Sequence, residues 1–190
     1  MSFIKSMYTS LFTAVVLCTS MDLKSQESSE SYGNTLNIGL GVGYYGYIGH
    51  SIPVVHANFE FNVARNFTLA PFITVYSYQN SRYWGNPNYP YKNYYYRQTV
   101  IPVGVRASYY FDEILHAGSS WDFYLAGSAG FAIRKTVWDS DYYGETEVAH
   151  SSSGIYLDAH IGTEYHFNDR LGIFLDLSTG ISTIGLAFHF

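Results

Sequence analysis

The residues best equipped for chemistry in this 190-residue chain are its histidines, its carboxylates and one dense run of tyrosines. His150-Ser151-Ser152 followed by Glu164 assembles the types a nucleophilic relay needs: a hydroxyl, an imidazole to take its proton and an acid to orient the ring. Asp122 and His166 form a second acid–imidazole pair if their segments run side by side, an arrangement that raises imidazole basicity. No nucleophile accompanies that pair. His160, His166 and His189 are metal-ligand types, but they fall at different heights along the elements derived below, so no metal site and no cofactor is expected. The segment Tyr78–Tyr96 carries Tyr83, Trp84, Tyr89, Tyr91, Lys92, Tyr94, Tyr95 and Tyr96, with Arg82 and Arg97 close by. Rigid amphipathic rings offer contact area at low entropic cost, so these are the binding candidates.

The elements that position these groups follow from a period of two. Leu36, Ile38, Leu40, Val42 and Tyr44 alternate with Asn37, Gly39, Gly41 and Gly43, which places the two sets on opposite faces of a strand. The same alternation recurs over Val55–Asn62, Phe67–Val75, Ile101–Phe111, Trp121–Arg134, Ile155–His166, Leu171–Ser178 and Thr183–Phe190. Pro71 removes one ladder donor from the third run. Eight strands are expected, an even number.

Upstream, Lys5, the apolar stretch Leu11–Cys18 and the polar stretch Thr19–Gln26 have the order of a secretory leader, with cleavage expected after Ser25. This divides the chain into a leader over 1–25, a short segment over 26–33 and a strand domain over 34–190. Cys18 has no partner, which excludes a disulfide scaffold. No run approaches the ~20 apolar residues of a spanning helix. The formal charge of -5 argues against a nucleic-acid partner, which wants a basic surface. Disorder is excluded by aromatic residues at 19%.

The period does not say which face is the core, since a soluble barrel points its apolar face inward and a membrane barrel points it at lipid. Three features favour lipid. The connections around Gln79–Gln98 and Thr136–Ser152 are long and must share one end of an up-and-down barrel, whereas Ala64-Arg65 and Asn168–Arg170 at the other end are tight. The connections after the first and seventh strands are also short, and Asp112–Ser120 is not minimal, so the asymmetry is incomplete. Aromatics of the apolar face gather at the tight-turn end: Phe61, Phe67, Tyr109, Phe111, Trp121, Phe123, Tyr165, Phe167, Phe188 and Phe190. A membrane–water interface selects such a girdle; a soluble core has no reason to sort rings by height. Finally, the chain stops on an apolar alternation ending in Phe190.

The Ile101-Pro102-Val103-Gly104-Val105-Arg106 strand ending in Tyr109-Tyr110-Phe111, the mature start at Gln26 and the terminal Gly185-Leu186-Ala187-Phe188-His189-Phe190 carry a resemblance. The chain resembles the small eight-stranded barrels of the OmpA/OmpX type, and in detail the porin-family "outer membrane protein beta-barrel domain" proteins of Bacteroidota. The resemblance implies an all-β, eight-stranded antiparallel up-and-down transmembrane barrel in the outer membrane of a Gram-negative bacterium. It also implies partners: outer-membrane lipid and lipopolysaccharide, and the barrel assembly machinery reading Phe190. A surface glycan or protein ligand would meet the Tyr-rich segment, whose cations suit lipopolysaccharide phosphates.

In that frame the polar face is the lumen, with Glu60, Arg106, Asp122, Arg134, Asp158, His160, Glu164, His166, Asp176 and His189 inside it. Eight strands enclose a space that side chains fill, so these groups are expected to pair, with Glu164 and Glu60 beside the central Arg106. The acidic second loop (Asp139, Asp141, Glu145, Glu147) is expected to meet the cationic first. His150-Ser151-Ser152 with Glu164 also resembles the His-x-Ser and downstream Glu of lipid A deacylases. Here, however, 153–164 reads as one strand, which would hold Glu164 about 40 Å from Ser152 at ~3.3 Å per residue. The expectation is a non-enzymatic barrel with a filled lumen and a structural or surface-interaction role. A narrow pore for water, ions or small solutes comes second and a lipid A-modifying enzyme third; a soluble lipocalin-like barrel is the alternative fold.

Overall fold

The computed structural model describes residues 32, 34–43, 53–116, 118–145 and 154–190. The expected leader, the His150–Ser152 cluster and most of the segment between the leader and the first strand lie outside these residues. Eight antiparallel strands close on themselves in sequence order. They are β1 (Thr35–Gly43), β2 (Val54–Ala64), β3 (Phe67–Asn86), β4 (Tyr89–Tyr110), β5 (Trp121–Trp138), β6 (Gly154–Asn168), β7 (Leu171–Ser178) and β8 (Ile181–His189). Closure runs from Thr35 opposite His189 to Gly43 opposite Ile181, so every strand has two neighbours and no edge is left to satisfy in lipid. A single helical turn, Asp112–Leu115, sits between β4 and β5.

The apolar face points outward. Ile38, Leu40, Ile73, Val105, Leu125, Phe131, Leu157, Ile161, Leu175 and Ile184 are all exposed, while Asn37, Asn58, Glu60, Thr74, Arg106 and Asp176 are buried. That is a soluble protein turned inside out, and a membrane barrel in its normal sense. On β3 the exposed apolar run extends from Phe67 to Val75, about the nine residues a tilted strand needs to cross a bilayer. It then stops. The next outward row is Ser77 beside Thr99 beside Lys135, directly above the Ile101–Ile133 pair. The row after that holds Gln79 and Arg97.

The sequence predicts a loop at Gln79–Gln98. The chain instead stays paired up to Asn86 opposite Tyr89, with a two-residue turn at Pro87-Asn88 and an irregularity at Trp84/Asn86. Beyond the last β2 pairing at Val75, this hairpin rises for about eleven residues, or roughly 35 Å along the strand. Tyrosine tolerates a strand well, and β5 supports the flank of β4 up to Trp138 opposite Tyr96.

Glycines make room inside. Tyr124 of β5 lies over Gly162 of β6, where a Cβ would fall 2.1 Å from the ring. At Gly172 a Cβ would fall 2.2 Å from the Glu164 carboxylate. A side chain at 162 would collide with the Tyr124 ring, and one at 172 would displace the Glu164 carboxylate.

Candidate functional site

The lumen is organised in three layers. Toward the hairpin end, Val54, Phe72, Tyr76, Tyr78, Val100, Ala132, Tyr156 and Ile181 form one buried apolar cluster. At the tight-turn end Tyr32, Tyr110 and Tyr124 form another, with Tyr32 and Tyr110 stacked at 4.2 Å. Tyr32, from the short segment before β1, closes the base of the barrel, bonded to Asp112 at 2.9 Å.

The charged layer lies between them. Arg106, 3% exposed, pairs with Asp176, 1% exposed. Glu60 acts on Arg106 electrostatically, as a neighbour would, but neither Glu60 nor Glu164 bonds it: the bonded carboxylate is Asp176. Asp176 of β7 reaches the guanidinium, while both glutamates are bonded to other partners. Glu60 accepts from Asn37 at 2.9 Å, Thr68 at 2.7 Å and Tyr110 at 2.8 Å. Glu164 meets His189 at 2.7 Å. Asp176 also accepts from Tyr124 at 2.9 Å and faces His160 Nδ1 at 2.7 Å, while Ser128 holds the other nitrogen of that ring at 2.9 Å. Arg106 additionally lies over the Tyr124 ring, 5.0 Å from its centre. His56 joins this layer through Thr74 at 2.7 Å and Asn58 at 3.0 Å. His56 is absent from the expected lumen set, although its place on the polar face of β2 marks it for the interior.

Asp158 belongs to a different task. Its carboxylate accepts from Tyr156, Ser178, Thr179 and the backbone N–H groups of Gly180 and Ile181. It therefore fixes the turn between β7 and β8. Arg134 is half-buried near the mouth, where Gly154 passes within reach of its guanidinium. His166 meets Asp122 at 2.8 Å on the diagonal, since Asp122 stands opposite Glu164 in the register of β5 and β6. His160 lies far from His166 and His189 in function, bound into the central layer, whereas the latter two sit together at the base with Glu164.

The lower girdle residues make ring contacts around the outside: Phe111 with Phe123, Trp121 with Phe123 and Tyr165, and Tyr165 with Phe167. Phe67 pairs with Tyr109 across β3 and β4, and Phe188 lies opposite Leu171. Phe59, which touches Phe61 and Phe190, joins them.

The tyrosine hairpin is two-sided. It packs on the end of β5 and the segment after it: Trp84 on Tyr142, Tyr89 on Tyr143 and Tyr96 on Trp138, while Trp84 also meets Tyr94 within the hairpin and Trp138 stacks on Tyr142 at 4.1 Å. Lys92 pairs with Asp141, and Asp139 accepts from the Tyr95 N–H at 2.9 Å. The hydrogen bond between Lys92 and Asp141 raises Lys92 above the ordinary lysine range and lowers Asp141 below the ordinary carboxylate range. Tyr94 is 1% exposed, so it is withdrawn from the set of binding candidates. The outer face shows Tyr83, Tyr91 and Tyr95, each more than half exposed.

No family model and no curated protein matches the chain. Among solved structures it is similar to Ail, the attachment invasion locus protein of Yersinia pestis, in complex with the heparin analogue sucrose octasulfate; identity is 12%, 82% of this chain and 98% of Ail are covered, and the TM-score is 0.49. It is similar to Neisserial surface protein A at 17% identity, covering 82% of this chain and 94% of that one, with a TM-score of 0.45. The N-terminal β-barrel domain of Pseudomonas aeruginosa OprF aligns at 12% identity over 83% and 98%, with a TM-score of 0.42.

Proposed function

We propose that this is a non-enzymatic outer-membrane barrel of the OmpA/OmpX type in a Gram-negative bacterium, whose role is structural or surface interaction through the tyrosine hairpin. The observation that carries the reading is the division of aromatic residues. Two buried sets lie in the lumen, while Tyr83, Tyr91 and Tyr95 stand exposed on a paired hairpin beyond the apolar band. A filled lumen has no path for solute and an exposed set of rings has contact area to offer.

Outer-leaflet lipopolysaccharide is the first partner of this surface. Arg97 and Lys135 sit on the outward face just above the apolar rows, at neighbouring positions of β4 and β5. Cations there meet headgroup phosphates, and the rings above them suit sugars. Lys92, engaged with Asp141, is not part of that set. Phe190 is proposed as the terminal residue read by the assembly machinery.

Membrane fractionation tests the location: the protein should enter the outer membrane and migrate faster on a gel before boiling than after. Immobilised purified lipopolysaccharide should retain the detergent-solubilised barrel, with retention falling in Tyr83→Ser/Tyr91→Ser/Tyr95→Ser and in Arg97→Gln/Lys135→Gln. Equal retention of all three proteins, or stable single-channel steps from the wild-type protein in a planar bilayer, would overturn the reading.

A further inference from the structure

At the tight-turn end the last inward residues of β6 and β8 meet across β7. His166 stands opposite Gly172 of β7, and Gly172 stands opposite Ala187, two residues before His189. Because Gly172 places no side chain between them, the two imidazoles approach to 4.9 Å between ring centres. The space above Gly172 is filled by the Glu164 carboxylate. One Glu164 oxygen lies 2.7 Å from His189 Nε2 and 3.9 Å from His166 Nδ1, and the three potential ligand atoms all fall within 4.8 Å of one another.

The outer nitrogens are engaged as well. His166 Nε2 lies 2.8 Å from Asp122 and His189 Nδ1 lies 2.9 Å from the Thr35 hydroxyl. Thr35 in turn donates to the Tyr32 carbonyl, which leaves its oxygen free to accept from the ring. Each imidazole is thus oriented by a partner on its far side, with the opposite nitrogen aimed at Glu164. Metal-ligating histidines are held in this way, by a carboxylate, hydroxyl or carbonyl that fixes tautomer and orientation.

We propose that Glu164, His166 and His189 form a binding site for a borderline transition-metal dication, zinc in the first instance, at the base of the barrel. Two imidazoles and a carboxylate suit that class of ion. Ligand bonds of about 2.0–2.2 Å in a tetrahedron set the ligand atoms ~3.4 Å apart, so side-chain adjustments of about an ångström complete the triad and leave a fourth position for water. The dication would sit between His189 and Glu164, and Asp122 adds to the negative surroundings. His166 and His189 are partly exposed, which gives an ion entry from the tight-turn side.

The test uses untagged full-length protein, refolded in detergent, stripped with chelator and titrated with zinc; folding is checked by gel migration before and after boiling. One equivalent should bind, raising the unfolding midpoint. His166→Gln and His189→Gln should each abolish that phase, Asp122→Asn should weaken it about 10–100-fold, and His116→Gln, at an exposed residue just after the Asp112–Leu115 turn, should leave it intact. Cu2+ added to the wild-type protein should show coupling to two imidazole nitrogens by electron paramagnetic resonance, a readout that needs no variant to fold. A one-equivalent phase that survives both histidine substitutions, a copper spectrum with fewer than two nitrogens, or no uptake at millimolar zinc would overturn the site.

Discussion

At the scale of single residues the centre of the lumen is Asp176 rather than Arg106. Asp176 receives Arg106, Tyr124 and His160, whereas the guanidinium has that one bonded carboxylate and the Tyr124 ring beneath it. Removing one member of a buried ion pair leaves the other uncompensated, at a cost of about 3–5 kcal/mol. Asp176→Ala should reach that range, because it strands a buried cation together with a tyrosine hydroxyl. Arg106→Ala should cost less, since Asp176 keeps two donors. Arg106→Met/Asp176→Leu should be less destabilised than the sum of the single variants, because neither charge remains. Urea midpoints of the refolded barrels measure all three; a cost for Arg106→Ala equal to or above that of Asp176→Ala would contradict this ordering.

At the scale of elements, the same hairpin shows what a sequence discloses and what it withholds. The period of two marked both faces of every strand, because one buried and one lipid-facing side impose opposite chemistry on alternate residues. The Asp122–His166 meeting followed from pairing β5 with β6 across their shared loop. The partner of Arg106 did not, because stagger between distant strands is set by barrel closure and leaves no local pattern. The hairpin over Tyr78–Tyr96 was obscured by Asn, Pro and Gly, which signal turns, although every Tyr there favours a strand. Likewise Gly172, which lets His166 and His189 meet, reads in sequence as one more small residue on a polar face. Docking of the hairpin on the segment after β5 carries a pH signature. Asp141 is lowered, so its share of the contact is present above the ordinary carboxylate pKa and is lost as pH falls through the depressed value. Lys92 is raised, so its share is present below the ordinary lysine pKa and is lost as pH rises through the elevated value. Fluorescence of Trp84 and Trp138 should therefore stay flat between about pH 5 and 9 and shift outside it. Because both charges are exposed, high salt should weaken the contact. Lys92→Glu should remove the acidic and alkaline transitions and speed proteolysis after β5; a transition near neutrality would contradict the assignment.

At the scale of the whole molecule, the two aromatic layers stand in series along the lumen, with the charged layer between them. Series resistance makes a specific demand. Opening the upper layer alone, by Phe72→Ala and Tyr156→Ala, leaves Tyr110 and Tyr124 closing the base with Tyr32 stacked beneath them. Opening the base alone, by Tyr110→Ala and Tyr124→Ala, leaves the larger upper cluster in place. Neither double variant should conduct in a planar bilayer, provided gel migration shows it folded. The fourfold variant should conduct, since the remaining charged layer is polar and water can enter between its groups. Its pathway would be lined by Asp176 and Glu60 against one arginine, so the current should favour cations. Conduction by either double variant would mean that a single layer is the only barrier, and selectivity for anions would place the current outside this lumen.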